Sequence, residues 1–93
     1  MYRVVVLYEN EPDPEVYAGH VEVAKRVPNA LFRHGKVVGA PMGDPKYGYY
    51  AEFEFADKSA FEAGVRSEEF AASGKDVQDR GLEFPTLFFT EVS

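Results

Sequence analysis

The segment YRVVVLYE, residues 2 to 9, restricts the fold more than any other stretch of the chain. Read as a strand, it alternates Tyr2, Val4, Val6 and Tyr8 with Arg3, Val5, Leu7 and Glu9. The first face is wholly apolar or aromatic, and the second is apolar at its centre. Such a strand needs cover on both sides. It therefore belongs in the middle of a sheet.

The 93 residues suffice for one domain, spanning 1 to 93. Hydrophobic residues at 45% and aromatics at 15% mark a globular chain. Without cysteine, disulfides, thiol chemistry and thiolate metal sites are excluded. A core this small leaves stability to tight packing or to a partner subunit. The net charge of -6 and the scattered basic residues argue against a nucleic-acid partner. VVVL at 4 to 7 is too short to span a bilayer, and no secretory pattern opens the chain. No membrane partner and a cytoplasmic location are expected.

After the first strand, NEPDP reads as a turn in which Asp13 caps a helix and Pro14 takes its first position. That helix is predicted from Pro14 to Arg26, ending before Pro28. Residues 30 to 43 read as a second strand interrupted at Gly35 and Gly39, joined by a short turn to a third at 47 to 55. Asp57 or Ser59 opens a helix over 58 to 69 with Ala60, Phe61, Gly64 and Val65 inward. Residues 73 to 82 suggest only a weak helical turn anchored by Val77 and Leu82. TLFFTEV closes the chain as a strand with Phe88 and Phe89 on opposite faces. The order is β-α-β-β-α-β, an α+β ferredoxin-like fold with a four-stranded antiparallel sheet and both helices on one side. The other face would be bare in a monomer, so a homodimer through the sheet faces is expected.

The first helix carries the main chemical candidate. At about 100° per residue, Val16, His20, Val23, Ala24 and Val27 share one arc, widened by Tyr17 and Val21. His20 thus lies on the face that should be buried, where leucine would pack at lower cost. An imidazole facing a cleft between helix and sheet can exchange a proton with a bound phenol, enol or acid. The plainer alternative is a structural histidine bonded to a tyrosine or a carbonyl.

These segments together resemble the EthD-like family, a group of dimeric α/β-barrel proteins with ferredoxin-like folds. The likeness runs through YRVVVLYEN, EPDPE and the histidine-bearing helix, then VPNALFRHGKVVG and FADKSAFEAGVRSEEFAASGKDV. His20 resembles the family's helix histidine, eight positions before Pro28. Ser67 and Asp76 match its later serine and aspartate. Glu22 stands where the family usually has proline. The resemblance implies a dimeric barrel with a small-molecule pocket, linked to bacterial degradation pathways.

Beside His20 as the catalytic candidate, Tyr17, Tyr49, His34 and Asp76 are candidate ligand contacts. Tyr47 and Tyr50 belong to the same aromatic group, for which core or interface packing is the plainer reading. His34 reads equally as a surface or interface residue. Ser67, Asp76 and Asp79 read as pocket rim or as helix caps and solvated side chains. No His-x-x-x-His or Glu-x-x-His pair is present, so no metal is expected. The glycines form no phosphate loop, and no bound cofactor is expected. Two functions remain in view: a cofactor-independent oxidoreductase or lyase using His20 as acid or base, and a non-enzymatic binding module for a partner enzyme. Haem handling would need His20 or His34 as axial ligand.

Overall fold

The computed structural model describes residues 1–93. Its elements are β1 (Tyr2–Tyr8), α1 (Pro14–Ala24), β2 (Leu31–Lys36), β3 (Tyr49–Phe55), α2 (Lys58–Val65), α3 (Glu68–Asp79) and β4 (Thr86–Glu91). The sheet order is β2-β3-β1-β4, and every pairing is antiparallel. The doubly apolar strand β1 is central, as its pattern requires. The architecture is ferredoxin-like, with three helices in place of two. No helix is long and apolar enough to cross a membrane.

All three helices pack on the sheet face carrying Val4, Val6, Tyr8, Ala51, Phe53 and Phe55, which join Tyr17, Val21, Ala24 and Val27 in the core. In α1, Asp13 accepts hydrogen bonds from Glu15 and Val16 backbone N–H groups, and Pro14 holds the first helical position. The buried stripe of α1 is Tyr17, His20, Val21 and Ala24. Val16, placed by the sequence on the buried arc, is exposed, and Val23 is half-buried. The arc is rotated toward Tyr17 because Tyr17 packs edge-on against Tyr8 and Tyr49.

Three expectations need correction. The second strand stops at Lys36, and residues 37–48 form a long connection in which Val38 and Met42 are exposed. Gly39 and Gly43 have positive φ there, so the backbone leaves the extended region that a strand needs. The second helix breaks after Val65, because Ser67 starts a new helix by accepting from Phe70 N–H. Residues 73–82 are no weak turn: most belong to α3, which runs Glu68–Asp79. Beyond its cap Arg80, Gly81 at φ 69° donates to Gln78 O, and Leu82 donates to Val77 O. This pair of bonds closes the helix as a Schellman motif.

The opposite sheet face carries Val5, Leu7 and Phe88 beside a charged centre. Glu52, only 6% exposed, accepts from Arg33 Nε at 2.9 Å and from Tyr50 Oη at 2.7 Å. Arg3 and Arg33 both also reach Glu54. Burial alone would raise the Glu52 pKa, but Tyr50 and Arg33 outweigh it and hold the carboxyl below its ordinary value.

Candidate functional site: an apolar pocket with a histidine–aspartate pair

Strands β1 and β3 form the floor of a pocket with Val6, Tyr8, Ala51 and Phe53, and α1 and α3 wall it with Tyr17, His20, Phe70 and Ser73. The cavity holds about 260 Å³, slightly below the ~300–1,000 Å³ usual for ligand sites, so it suits a small molecule. Helix α3 spaces Phe70, Ser73, Gly74 and Val77 along one face, which is the i, i+3, i+4, i+7 stripe of an amphipathic helix. Its two middle positions are small, and that leaves the void. Phe84 and Leu87, exposed by 77% and 47%, edge the pocket where the chain enters β4. Glu83 fixes that entrance by accepting from Glu9 N–H and the Asn10 side chain, at 2.6 and 2.8 Å.

His20 is 4% exposed and lines this pocket. Its Nδ1 lies 2.8 Å from Asp76 Oδ2, and Arg80 Nε donates to the same oxygen at 2.7 Å. Burial by itself would raise the Asp76 pKa, yet the bonds from His20 and Arg80 outweigh it and set the carboxyl below its usual value. An ionised carboxylate has only acceptor sites, so Nδ1 carries a proton. In the neutral ring Nε2 is then the basic nitrogen, and it has no hydrogen bond within the protein. Gly19 permits the arrangement: a Cβ there would overlap the Arg80 guanidinium. Helices α1 and α3 are thus tied together at the pocket by a carboxylate between two nitrogen donors.

Tyr17 separates the pocket from a second cleft. Its ring centre is 5.4 Å from that of His20 on one side and 5.3 Å from that of His34 on the other. In the cleft, His34 Nδ1 and Tyr49 Oη are 2.6 Å apart, beside Glu11 and Glu22. Burial first, and Lys25 second, lower the His34 pKa. Of the sequence-derived candidates, His20, Tyr17 and Asp76 therefore meet in one place. His34 and Tyr49 pair with each other in the cleft and line no part of the pocket. Tyr50 bonds Glu52 on the opposite sheet face, and Tyr47 reaches Thr86. Ser67 caps α3, and Asp79 pairs with Lys75.

Sequence reasoning missed Tyr8, Ser73 and the aromatic walls. Tyr8 is 1% and Tyr17 3% exposed, and neither hydroxyl has a hydrogen-bond partner. The alternation of β1 marked Tyr8 as inward-facing but gave no sign that its hydroxyl would be left unpaired. No group of three or more His, Asp or Glu side chains is arranged to hold a metal ion.

Over its full length the chain is similar to the crystal structure of an ethyl tert-butyl ether D (EthD) family protein from Bacillus halodurans. The two are 26% identical, 99% of that chain is covered, and the TM-score is 0.76. Two further structures share the fold. A dimeric ferredoxin-like protein of unknown function from Jannaschia sp. is 19% identical over 98% of both chains, with a TM-score of 0.69. An antibiotic biosynthesis monooxygenase is 16% identical over 100% of this chain and 99% of its own, with a TM-score of 0.55. No family model and no curated protein matches the sequence.

Proposed function

We propose that the protein, a single domain over residues 1–93, binds a small, partly apolar organic molecule in the α1–α3 pocket, with His20 as its acid or base. One observation carries the reading: a buried imidazole, held at Nδ1 by an ionised carboxylate, lines a largely apolar cavity. A structural histidine would need no cavity beside it. The Asp76–His20 pair fixes the tautomer and orients the ring, an arrangement suited to moving a proton. Cofactor-independent oxidation or lysis of an activated substrate is compatible with such a base. Two fold neighbours carry names that suit the reading, an EthD family protein and an antibiotic biosynthesis monooxygenase.

A non-catalytic carrier is the second reading. It is favoured by the pocket lining, 10 of whose 14 residues are hydrophobic, which is ample for binding and sparse for catalysis. Wild type and His20→Ala should be screened by thermal shift against small phenols, quinones, aromatic acids and haem. A ligand at a hundred times its Kd stabilises by about 2.7 kcal/mol, which is readily seen. Hits that weaken in His20→Ala support the pocket, and turnover lost in that variant while affinity persists identifies an enzyme. An empty screen with a strongly destabilised variant would make His20 a core residue.

The uncovered sheet face is taken to pack against a second copy, in a cytoplasmic homodimer. Dimeric proteins are among the fold neighbours, and Val5, Leu7 and Phe88 supply apolar area around the charged centre.

A further inference from the structure

The polar side chains of the pocket wall are Tyr8, Tyr17, His20 and Ser73. The hydroxyls of Tyr8 and Tyr17 are sealed off from the cavity. His20 Nε2 and Ser73 Oγ differ. Neither forms a hydrogen bond within the protein, and neither is sealed. Each residue is only 4% exposed and lines the cavity, so the surface these two atoms keep faces the space a ligand would fill. Helix α3 brings them to one end of it. Ser73 and Asp76 are three residues apart and so are neighbours on one helix face, and Asp76 holds His20 by Nδ1 at 2.8 Å. A helical serine can turn its hydroxyl back onto a carbonyl one turn earlier. Ser73 leaves that bond unmade.

We propose that Ser73 is a specificity-determining residue, and that the pocket takes a neutral molecule by one hydroxyl group, which donates to His20 Nε2 and accepts from Ser73 Oγ. This deepens the pocket reading above and rests on it. The hydrogen-bonding capacities decide what fits. With the proton on Nδ1, the neutral ring offers Nε2 as an acceptor, and the serine hydroxyl can donate. A hydroxyl group answers both, since it carries one donor and an oxygen with lone pairs. A ketone, quinone or ether brings no donor for Nε2. A carboxylate brings a charge that the wall does not meet: no lysine or arginine lines the cavity, and Arg80 is engaged by Asp76. A charge buried without a partner is costly. The rest of the molecule lies against apolar and aromatic wall, where Phe53 and Phe70 meet edge-on with ring centres 5.6 Å apart.

The test compares wild type with Ser73→Ala by NMR titration against 4-ethylphenol, 4-ethylanisole, 4-ethylbenzoate and ethylbenzene. The anisole keeps the oxygen without the donor, the benzoate carries the charge, and ethylbenzene has no polar group. Wild type should bind 4-ethylphenol most tightly of the four. Ser73→Ala should weaken 4-ethylphenol by up to about tenfold, the scale of one neutral hydrogen bond, and leave ethylbenzene unchanged. The variant should melt at or above the wild-type temperature, because the hydroxyl has no bond to lose and alanine favours a helix. An equal loss for ethylbenzene would reduce Ser73 to a matter of pocket shape, and a lowered melting temperature would make it part of the fold; either overturns the proposal. So would 4-ethylanisole or 4-ethylbenzoate binding as tightly as the phenol. If 4-ethylphenol binding is unchanged in Ser73→Ala but lost in His20→Ala, the proposal is overturned and the pocket reading stands. If wild type binds none of the four the inference fails, and the pocket reading falls with it only if the broader screen is also empty.

Discussion

His20 occupies a position that packing alone would give to leucine, and its surroundings explain the imidazole. One nitrogen is tied to Asp76 and the other is left without a protein partner. Asp76→Asn keeps the shape but removes the charge, so it should destabilise the fold by about 1.5–3 kcal/mol, the range for hydrogen bonds to charged groups. Denaturant melts would measure it. The pH dependence has a definite sign. The folded pKa of Asp76 is lowered, so its contribution is present above the unfolded carboxylate value, about 3.9, and is lost as pH falls through the folded value. Wild type should therefore lose more stability than Asp76→Asn on acidification below about pH 5. Equal losses would show that the pair adds nothing to stability. The histidine was legible in the sequence because it interrupts an apolar arc. Asp76 was a candidate through the family resemblance, but its pairing with His20 was not legible, since 56 residues separate the two and Asp76 sits among serines, glycines and charges that look like solvated loop.

Among the elements, α3 shows how a pocket can hide a helix from sequence reading. Its inner stripe is Phe70, Ser73, Gly74 and Val77, with small residues where a core helix would carry large ones. The stripe keeps its helical period but carries little apolar bulk, because the helix faces a cavity. Its termini are set by Ser67 and by Gly81-Leu82, although the sequence reading ran one helix through Ser67. By contrast β1 and β3 declared themselves, because burial under helices enforces strict alternation. The two helical glycines of α2 and α3 should respond oppositely to alanine. At Gly64 a Cβ would overlap the Phe55 ring, which is fully buried and cannot yield. Gly64→Ala should cost about 1–3 kcal/mol through overpacking. At Gly74 a Cβ meets nothing within 4 Å, so Gly74→Ala should add about 0.5–1 kcal/mol through helix propensity. Chemical denaturation of both variants checks the pair, and a stabilised Gly64→Ala would contradict the packing described.

For the whole molecule, the helices cover one sheet face and leave the other open. Alternation in the strands revealed that both faces carry apolar residues, but the ion network at the centre of the open face came only from register. Arg33 lies opposite Glu52, and Arg3 opposite Glu54, across neighbouring strands. Each centre is self-neutralised, so a second sheet can approach without meeting unpaired charge. Phe88→Glu places a new charge at the edge of that face. If the proposed face-to-face dimer forms, that charge should shift it to monomer in sedimentation experiments, with little change in the helix-side core. A wild-type monomer at high concentration would refute the face-to-face assembly.

The central claim is that His20 presents a free basic nitrogen to a bound molecule. A long-range proton–nitrogen NMR spectrum of the His20 ring, recorded with and without the best binder from the screen, tests it directly. Nδ1 should carry the proton in both states, and Nε2 should shift strongly on saturation. An Nε2 signal that stays fixed while the ligand binds would place the ligand elsewhere and contradict the account.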